Sequence, residues 1–240
     1  MPDRRHSAAL FKAVVVRPGG RDGGSTQNIV DELRRVILDG AVPPGTPIPL
    51  GEVAEMFGVS HIPVRESLKT LTGEGLVQHR RNSGYAVAQL TASELAEMYI
   101  VRETLEFAAM AAALQHATDD DRAHLSEVHA TLEQALKFDD AQAYHRHSRQ
   151  FHMALSRPSR MLRLVHMLES AWNMTEPVQL MVHVEQSQRE LLNDDHRVML
   201  DAFLAGDTES LLAAAALHNK RLNNVVASLP TDTGLVSRDH

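Results

Sequence analysis

The sequence predicts a mainly α protein: an N-terminal winged helix-turn-helix followed by an all-α bundle of six helices. Three observations carry this expectation. Residues 28–72 hold three short amphipathic stretches separated by Gly and Pro, residues 76–87 hold two short strand-like runs around a polar Gly turn, and residues 92–229 show helical apolar spacing with no β pattern or internal repeat. The chain of 240 residues is 43% hydrophobic and 23% charged, enough apolar material for one large core or two modest ones.

The elements follow in order. Residues 1–26 contain Arg4-Arg5, Gly19-Gly20 and Gly23-Gly24-Ser25, the composition of a flexible arm. From Asn28, the spacing of Ile29, Val30, Leu33 and Ile37 predicts a helix that ends at Asp39-Gly40. Pro43, Pro44, Gly45, Pro47 and Pro49 read as a stiff connector. A short helix is expected over residues 50–57, Gly58 supplies a tight turn, and Ser60 is placed to cap a third helix running through Leu71. Gly73 and Gly75 stop that helix. Residues 76–79 and 85–87 then read as strands around Arg80-Arg81-Asn82-Ser83-Gly84.

In the bundle, helices are expected over residues 92–116, 119–138, 139–156, 159–184, 187–205 and 208–228, with breaks at Thr118-Asp119-Asp120, Asp139-Asp140, Arg157-Pro158 and Gly206-Asp207. The domain expectation is an arm over 1–26, a winged helix-turn-helix domain over 27–90, an all-helical domain over 91–229, and a flexible tail over 230–240.

Composition excludes several chemistries. With no cysteine there is no disulfide framework, thiolate zinc site, iron–sulfur cluster or thiol nucleophile. The longest apolar runs, such as residues 211–217, are far below the roughly 18 residues of a membrane span. No segment shows the apolar core of a secretory signal, which sets a cytoplasmic expectation. Aromatics at 4% argue against a stacking platform for single strands. A net charge of −7 looks hostile to nucleic acid, but it is not uniform. Residues 1–90 carry eleven Lys and Arg against nine Asp and Glu, net +2. Residues 91–240 carry thirteen against twenty-two, net −9, and hold eleven of the fourteen histidines.

The third helix of the first module has two faces. Val64, Leu68 and Leu71 point inward at i, i+4 and i+7, while Arg65, Lys69 and Thr72 share the opposite face. Its tip, Ser60-His61-Ile62-Pro63 with Arg65 behind it, lies where a recognition helix meets base edges. First-turn amides and the Ser60 hydroxyl suit a phosphate, and Arg65 suits guanine or a phosphate. Arg80 and Arg81, with Asn82 and Gly84, form a wing suited to the backbone or minor groove.

Taken together, Asp39-Gly40, Pro44-Gly45, Val53-Ala54, the run from Phe57 through Leu68, Glu74-Gly75-Leu76-Val77 and the run from Asn82 through Val87 resemble the DNA-binding domain of GntR-type bacterial regulators. The resemblance covers residues 27–90. It implies DNA contacts at Ser60, His61, Ile62, Pro63 and Arg65 and in the wing from Arg81 to Gly84. The chain departs from the family pattern at His61, where Arg is frequent, and at Gly51, where many members place a DNA-contacting Arg or Glu.

In the bundle, His152, His196 and His218 each follow or flank apolar positions on three different expected helices. Three imidazoles converging in a bundle would hold zinc, nickel or manganese. Their spacing of 44 and 22 residues does not establish convergence, and surface or capping histidines fit it as well. The stretches Arg102-Glu103-Thr104-Leu105-Glu106, Phe151-His152, His196-Arg197, Ala205-Gly206-Asp207 and residues 213–218 resemble the all-α FCD effector domain of the FadR branch, in its six-helix VanR-like form. That resemblance implies a metal site at the three histidines with an Asp four residues before the first. Ser148 stands there, so the anionic ligand is missing. His145, two helical turns away, and His147, about 140° off the shared face, do not replace it.

Three readings of this pocket stay open: a three-histidine metal site completed by water or an effector carboxylate, a metal-free pocket whose imidazoles donate to an anion, and a degenerate pocket. Family effectors are small organic acids, for which Arg102, Ser148 and Arg149 are candidate contacts; an Arg102–Glu106 pair within the helix is the alternative for Arg102. The function expected is a ligand-responsive transcription regulator, a repressor and not an enzyme, acting as a homodimer on double-stranded operator DNA, without membrane association. The alternatives are an architectural DNA-binding protein with a degenerate sensor and a three-histidine metallohydrolase, for which no paired base–ligand motif such as HExxH is present.

Overall fold

The computed structural model describes Leu10, residues 12–15, 26–81 and 83–229, and Leu235. Most of the expected arm and nearly all of the expected tail lie outside the described residues. Contacts divide the described residues into two units: those through Thr91 together with Asn173–Val178 and Leu235, and Ala92–Trp172 together with residues 179–229. Among the described residues no helix is long and apolar enough to cross a membrane.

The first unit contains α1 (Thr26–Leu38), β1 (Pro47–Ile48), α2 (Leu50–Phe57), α3 (His61–Gly73), β2 (Val77–Arg80) and β3 (Gly84–Val87). The helices close on a core of Ile29, Leu33, Ile37, Val53, Phe57, Val64, Leu68 and Leu71, the positions their periodicity points inward. Gly58 ends α2 at φ 64°, a left-handed geometry that glycine adopts without Cβ strain, and so sets the turn into α3. Buried Ser67 donates to the Thr26 carbonyl at 2.9 Å, and Arg34 on α1 grips Glu74 beyond α3 through two bonds of 2.7 and 2.9 Å. Asn173 Nδ2 donates to the Glu74 carbonyl at 2.9 Å. The placement of α3 is thus fixed by packing and polar contacts together.

One strand was not expected. β1, inside the proline-rich connector, pairs with β3 to give a three-stranded antiparallel sheet in the order β1-β3-β2. Pro47 cannot donate, which an edge position tolerates. The pairing runs instead through Gly45 N to the Val87 carbonyl (3.1 Å) and Val87 N to the Thr46 carbonyl (2.9 Å).

The second unit is built on α4 (Ala92–Ala113), α5 (Asp119–Lys137), α6 (Ala141–Ser156), α7 (Leu162–Thr175, whose last turn groups with the first unit), α8 (Gln186–Ala205) and α9 (Thr208–Ala227). Thr118 and Asp121 form a reciprocal capping box at the start of α5, and Asp140 and Asp207 cap α6 and α9. Phe151, Phe203, Met110, Leu125, Met199 and Leu211 make the main core.

The single helix expected over residues 159–184 is broken. Arg160 adopts φ 57°, and α7 starts only at Leu162. At its other end Pro177 lacks the amide a continuing helix needs and would clash with the carbonyl four residues back. The chain instead takes two short 3-10 turns, Glu176–Val178 and Leu180–His183. Buried Arg189 replaces the lost helical donors: its Nη1 donates to the Met181 and Val184 carbonyls and its Nη2 to Asp139.

Candidate functional site

The exposed face of α3 is assembled as its periodicity requires. Ser60 is extended at the helix N-cap and makes no side-chain capping bond, so its hydroxyl does not close the first turn. His61, Arg65 and Lys69 are exposed, Ile62 is 69% exposed, and Pro63 is half-buried in the first turn. Lys69 is drawn back along its own helix to Glu66, 2.9 Å away. On the wing Arg80 donates to Gln89 at 2.8 Å, whereas Arg65 and Arg81 have no ion pair among the described residues. Gly84 turns the wing at φ 81°. Asn82 lies outside the described residues. The two departures from the family pattern are neighbours: His61 Nε2 lies 3.8 Å from where a Cβ on Gly51 would stand.

In the second unit three helices bring three imidazoles together. His152 on α6, His196 on α8 and His218 on α9 are all buried, and one ring nitrogen of each lies within 4.8 Å of the others. The Nε2 atoms of His152 and His196 are 3.2 Å apart. Two ligands bound to one ion at 2.0–2.1 Å with tetrahedral angles are separated by about 3.3 Å. The same 3.2 Å also suits a hydrogen bond in which one ring donates to the other.

Behind the rings stand carboxylates. Glu106 on α4 places Oε2 3.1 Å from His152 Nδ1, and Asp195 places Oδ2 3.8 Å from His218 Nδ1. Carboxylates on the outward nitrogens are the usual second layer of a histidine metal site, orienting each ring and raising its basicity. Glu106 is held in turn: Trp172 Nε1 donates to it at 3.0 Å, and Arg102 Nε is 3.9 Å away. The Arg102 guanidinium stacks 3.2 Å over the Trp172 ring and 4.4 Å over Tyr99. Arg221 donates to Asp195 at 2.7 Å.

Electrostatics separates the groups cleanly. Burial works to raise the Glu106 pKa, but attraction to His152, their contact and the Arg102 charge outweigh it and hold the carboxyl below its ordinary range. Burial, then repulsion from His218 and His152, pushes His196 well down. Burial also lowers His218, against the opposing pull of Asp195. His196 and His218 are therefore neutral near pH 7, the form that binds metal, beside an ionised Glu106.

Ser148, one helical turn before His152, and Arg102 line the same cavity as the three histidines. Arg149 does not: it lies a residue further round α6 and lines a separate cavity with His124 and Met153. One step along a helix is about 100°, so Ser148 shares the His152 face and Arg149 the Met153 face. His145 lines the central cavity without joining the three-histidine cluster, as its two-turn offset requires. The intrahelical Arg102–Glu106 pair is present and is part of the site. Sequence reading passed over Glu106 as a site residue, and Tyr99, Tyr144 and Trp172 altogether. A signal existed, since Leu95, Tyr99, Arg102, Glu106, Ala109 and Ala113 form one buried stripe of α4 with two opposite charges inside it.

Comparison with known proteins comes down on the same two regions. The family model described as "Bacterial regulatory proteins, gntR family" matches residues 25–87, and the FCD domain model matches residues 97–224. A probable D-xylose utilization operon transcriptional repressor of Paenarthrobacter nicotinovorans is 30% identical over 81% of this chain and 82% of its own length. The HTH-type transcriptional regulator McbR of Escherichia coli (strain K12) is 27% identical over 77% of this chain and 84% of its own. A solved structure of E. coli McbR/YncC superposes with a TM-score of 0.74 at 25% identity, covering 84% of this chain and 96% of that one.

Proposed function

The chain belongs to the GntR family of bacterial regulatory proteins and is a DNA-binding transcription regulator with an FCD domain, not an enzyme; on that premise we propose that it is a cytoplasmic repressor that binds its operator as a homodimer and responds to a small organic acid through a metal held by His152, His196 and His218. The observation that carries the metal reading is the convergence of three buried imidazoles backed by Glu106 and Asp195. A divalent ion there would supply a Lewis-acid anchor for the effector carboxylate. Because Ser148 brings no charge, three neutral imidazoles would leave the ion its full charge, and the effector's own carboxylate is the natural anionic partner. Zinc and nickel suit three imidazoles, and manganese would lean on the oxygens of the effector and water.

On the DNA side, Ser60 and the first-turn amides would take a phosphate, Ile62 a thymine methyl group and Arg65 a guanine edge, with Lys69, His61 and Pro63 flanking them. Arg80, Arg81, Asn82 and Gly84 would track the backbone beside the half-site. Two such modules on one two-fold axis read half-sites about 34 Å apart. The effector acts only so far as it binds the DNA-competent and DNA-incompetent arrangements with different affinity.

A metal-free reading also has an observation behind it. The His152–His196 separation suits a direct hydrogen bond, and in either reading the cluster, with about 10 Å³ of free space, has to open to admit an organic acid. Elemental analysis of purified protein decides between them. Near-stoichiometric metal in the wild type and little in His196→Ala is expected; no metal in either leaves the metal-free pocket. For the DNA contacts, Arg65→Ala is expected to weaken operator binding about tenfold to a hundredfold in a gel-shift titration. Unchanged binding would remove α3 as the recognition helix.

A further inference from the structure

We infer that the 3-10 turn Leu180–His183 is the gate of the histidine cavity and that Arg189 is its latch. This rests on the cavity being the sensor, and it names the part of the unit that moves when the cavity fills. With about 10 Å³ of free space, the cavity has to open before an organic acid enters. Among its described lining residues, Met181 alone stands outside an α-helix; the others belong to α4, α6, α7, α8 and α9. Four of those helices also carry the main core, through Met110, Phe151, Phe203 and Leu211, so shifting one of them unpacks its neighbours. The turn is held by less. Its backbone bonds span three residues, a poorer geometry than a helix ladder: Val182 N to the Gln179 carbonyl at 2.9 Å and Val184 N to the Met181 carbonyl at 3.4 Å. Val182, next to Met181, is 46% exposed, so a single layer of chain separates the cavity from water. Met181 itself is unbranched and turns about several bonds, as suits a plug that swings aside.

A buried charge keeps the turn shut. Arg189 on α8 donates from Nη1 to the Met181 carbonyl at 3.2 Å and to the Val184 carbonyl, and from Nη2 to the Asp139 carboxylate. The two carbonyls belong to the plug and to the residue that follows the turn, so one nitrogen clasps both. Charge-assisted bonds of this kind are about twice as strong as neutral ones. Only a guanidinium fork reaches carbonyls on one side and a carboxylate on the other; an ammonium has no such fixed spread. The latch is braced from the cavity wall, where the Tyr144 hydroxyl donates to the Arg189 carbonyl at 3.1 Å. Opening the turn takes the carbonyls off Nη1 while Nη2 stays on Asp139, so the cation is never left without a partner. The cost of opening is therefore that of the carbonyl bonds and not of a stranded buried charge.

The test uses the purified full chain with no effector added, and neither readout needs a metal, so a sensor that holds none leaves the result standing. Trp172 is the single tryptophan of the chain, lines the cavity and is 4% exposed, so quenching of its fluorescence by acrylamide reads access to the cavity. Hydrogen exchange at the Val182 and Val184 amides reads the turn itself. Wild type is expected to quench weakly. Arg189→Lys, which keeps the charge and loses the fork, is expected to speed exchange at both amides about tenfold, as loss of a charge-assisted bond requires, and to raise quenching with it. Exchange at Phe151 on α6 and Phe203 on α8 is expected to stay as in wild type. Met181→Ala, which removes the plug and leaves the latch, is expected to raise quenching severalfold, and it decides the matter if Arg189→Lys does not fold. Val182→Ala, on the outer side of the same turn, is expected to quench as wild type does. Quenching in wild type as strong as in the urea-unfolded chain, wild-type quenching in Met181→Ala, or exchange in Arg189→Lys that rises equally at Phe151 and Phe203 would each overturn the proposal.

Discussion

The winged module keeps its working charges on the surface, while the helical unit buries its own. Arg65, Lys69 and Arg81 stand in water on one helix and one wing. Arg102, Glu106, Arg189 and Asp195 are each no more than 5% exposed. An exposed cation costs little to fold and little to replace, so the exposed face of α3 is free to vary without endangering its core. A buried charge is tolerable only when its partners are in place. The histidine cluster and its carboxylates are therefore tied to the stability of their unit, and a ligand bound there would alter its folding energetics.

The sharpest way to break this contrast is to remove one buried charge. Glu106→Gln keeps the side chain's size but removes the buried carboxylate charge that faces Arg102 and His152. Loss of about 3 kcal/mol or more is expected, read as a fall in Tm of about 10 °C by calorimetry. The double variant Arg102→Met with Glu106→Leu should recover only part of that loss, since it removes both buried charges but leaves the Trp172 Nε1 donor and the His152 ring without their carboxylate. A Tm within about 2 °C of wild type for Glu106→Gln would mean the pair carries no such strain.

How far these two regions were legible in the sequence differs for the same physical reason. In the first unit the inward spacing of Val64, Leu68 and Leu71, the turn at Gly58 and the polar wing are local signals, and each marked an element the structure contains. Only β1 was hidden, because two residues among prolines carry no periodicity and pair through neighbours. In the second unit the six helices were legible but their meeting point was not. His152, His196 and His218 come from three helices, and which faces meet is a tertiary fact. Glu106 and Trp172 lie 46 and 20 residues from His152, so their part in the site has no local trace. The break at Pro177 was readable from proline alone. Its position was obscured by an apolar pattern that continues through Val178, Leu180 and Met181.

A smaller effect sharpens the surface side of the comparison. Glu66 holds Lys69 on the recognition face. Exposed pairs of this kind contribute little to stability, so Glu66→Gln should leave Tm almost unchanged. It should nevertheless tighten operator binding several-fold at low salt, by releasing a cation and removing a negative charge that faces the phosphates. If Lys69 then gains a phosphate contact, the slope of log affinity against log salt steepens by about one. Unchanged affinity and slope would place Lys69 outside the footprint.

The smallest effect lies in the buried half and concerns pH. His129 on α5 is buried against Phe151, with ring centroids 5.6 Å apart. Burial, then repulsion from Arg197, lowers its pKa, against the weaker pulls of Glu133 and Asp201. A base with a folded pKa below its unfolded value of about 6.5 binds fewer protons when folded. Its penalty is absent well above pH 6.5 and grows as pH falls below it, because protonation then favours the unfolded chain. Wild type should therefore melt at lower temperature at pH 5.5 than at pH 7.5. His129→Leu should show a smaller fall over the same interval, and a part of the fall should persist, since His196 and His218 are buried with lowered pKa values as well. An identical pH dependence in His129→Leu would show that this imidazole is protonated alike in the folded and unfolded chain, and that its burial carries no electrostatic cost.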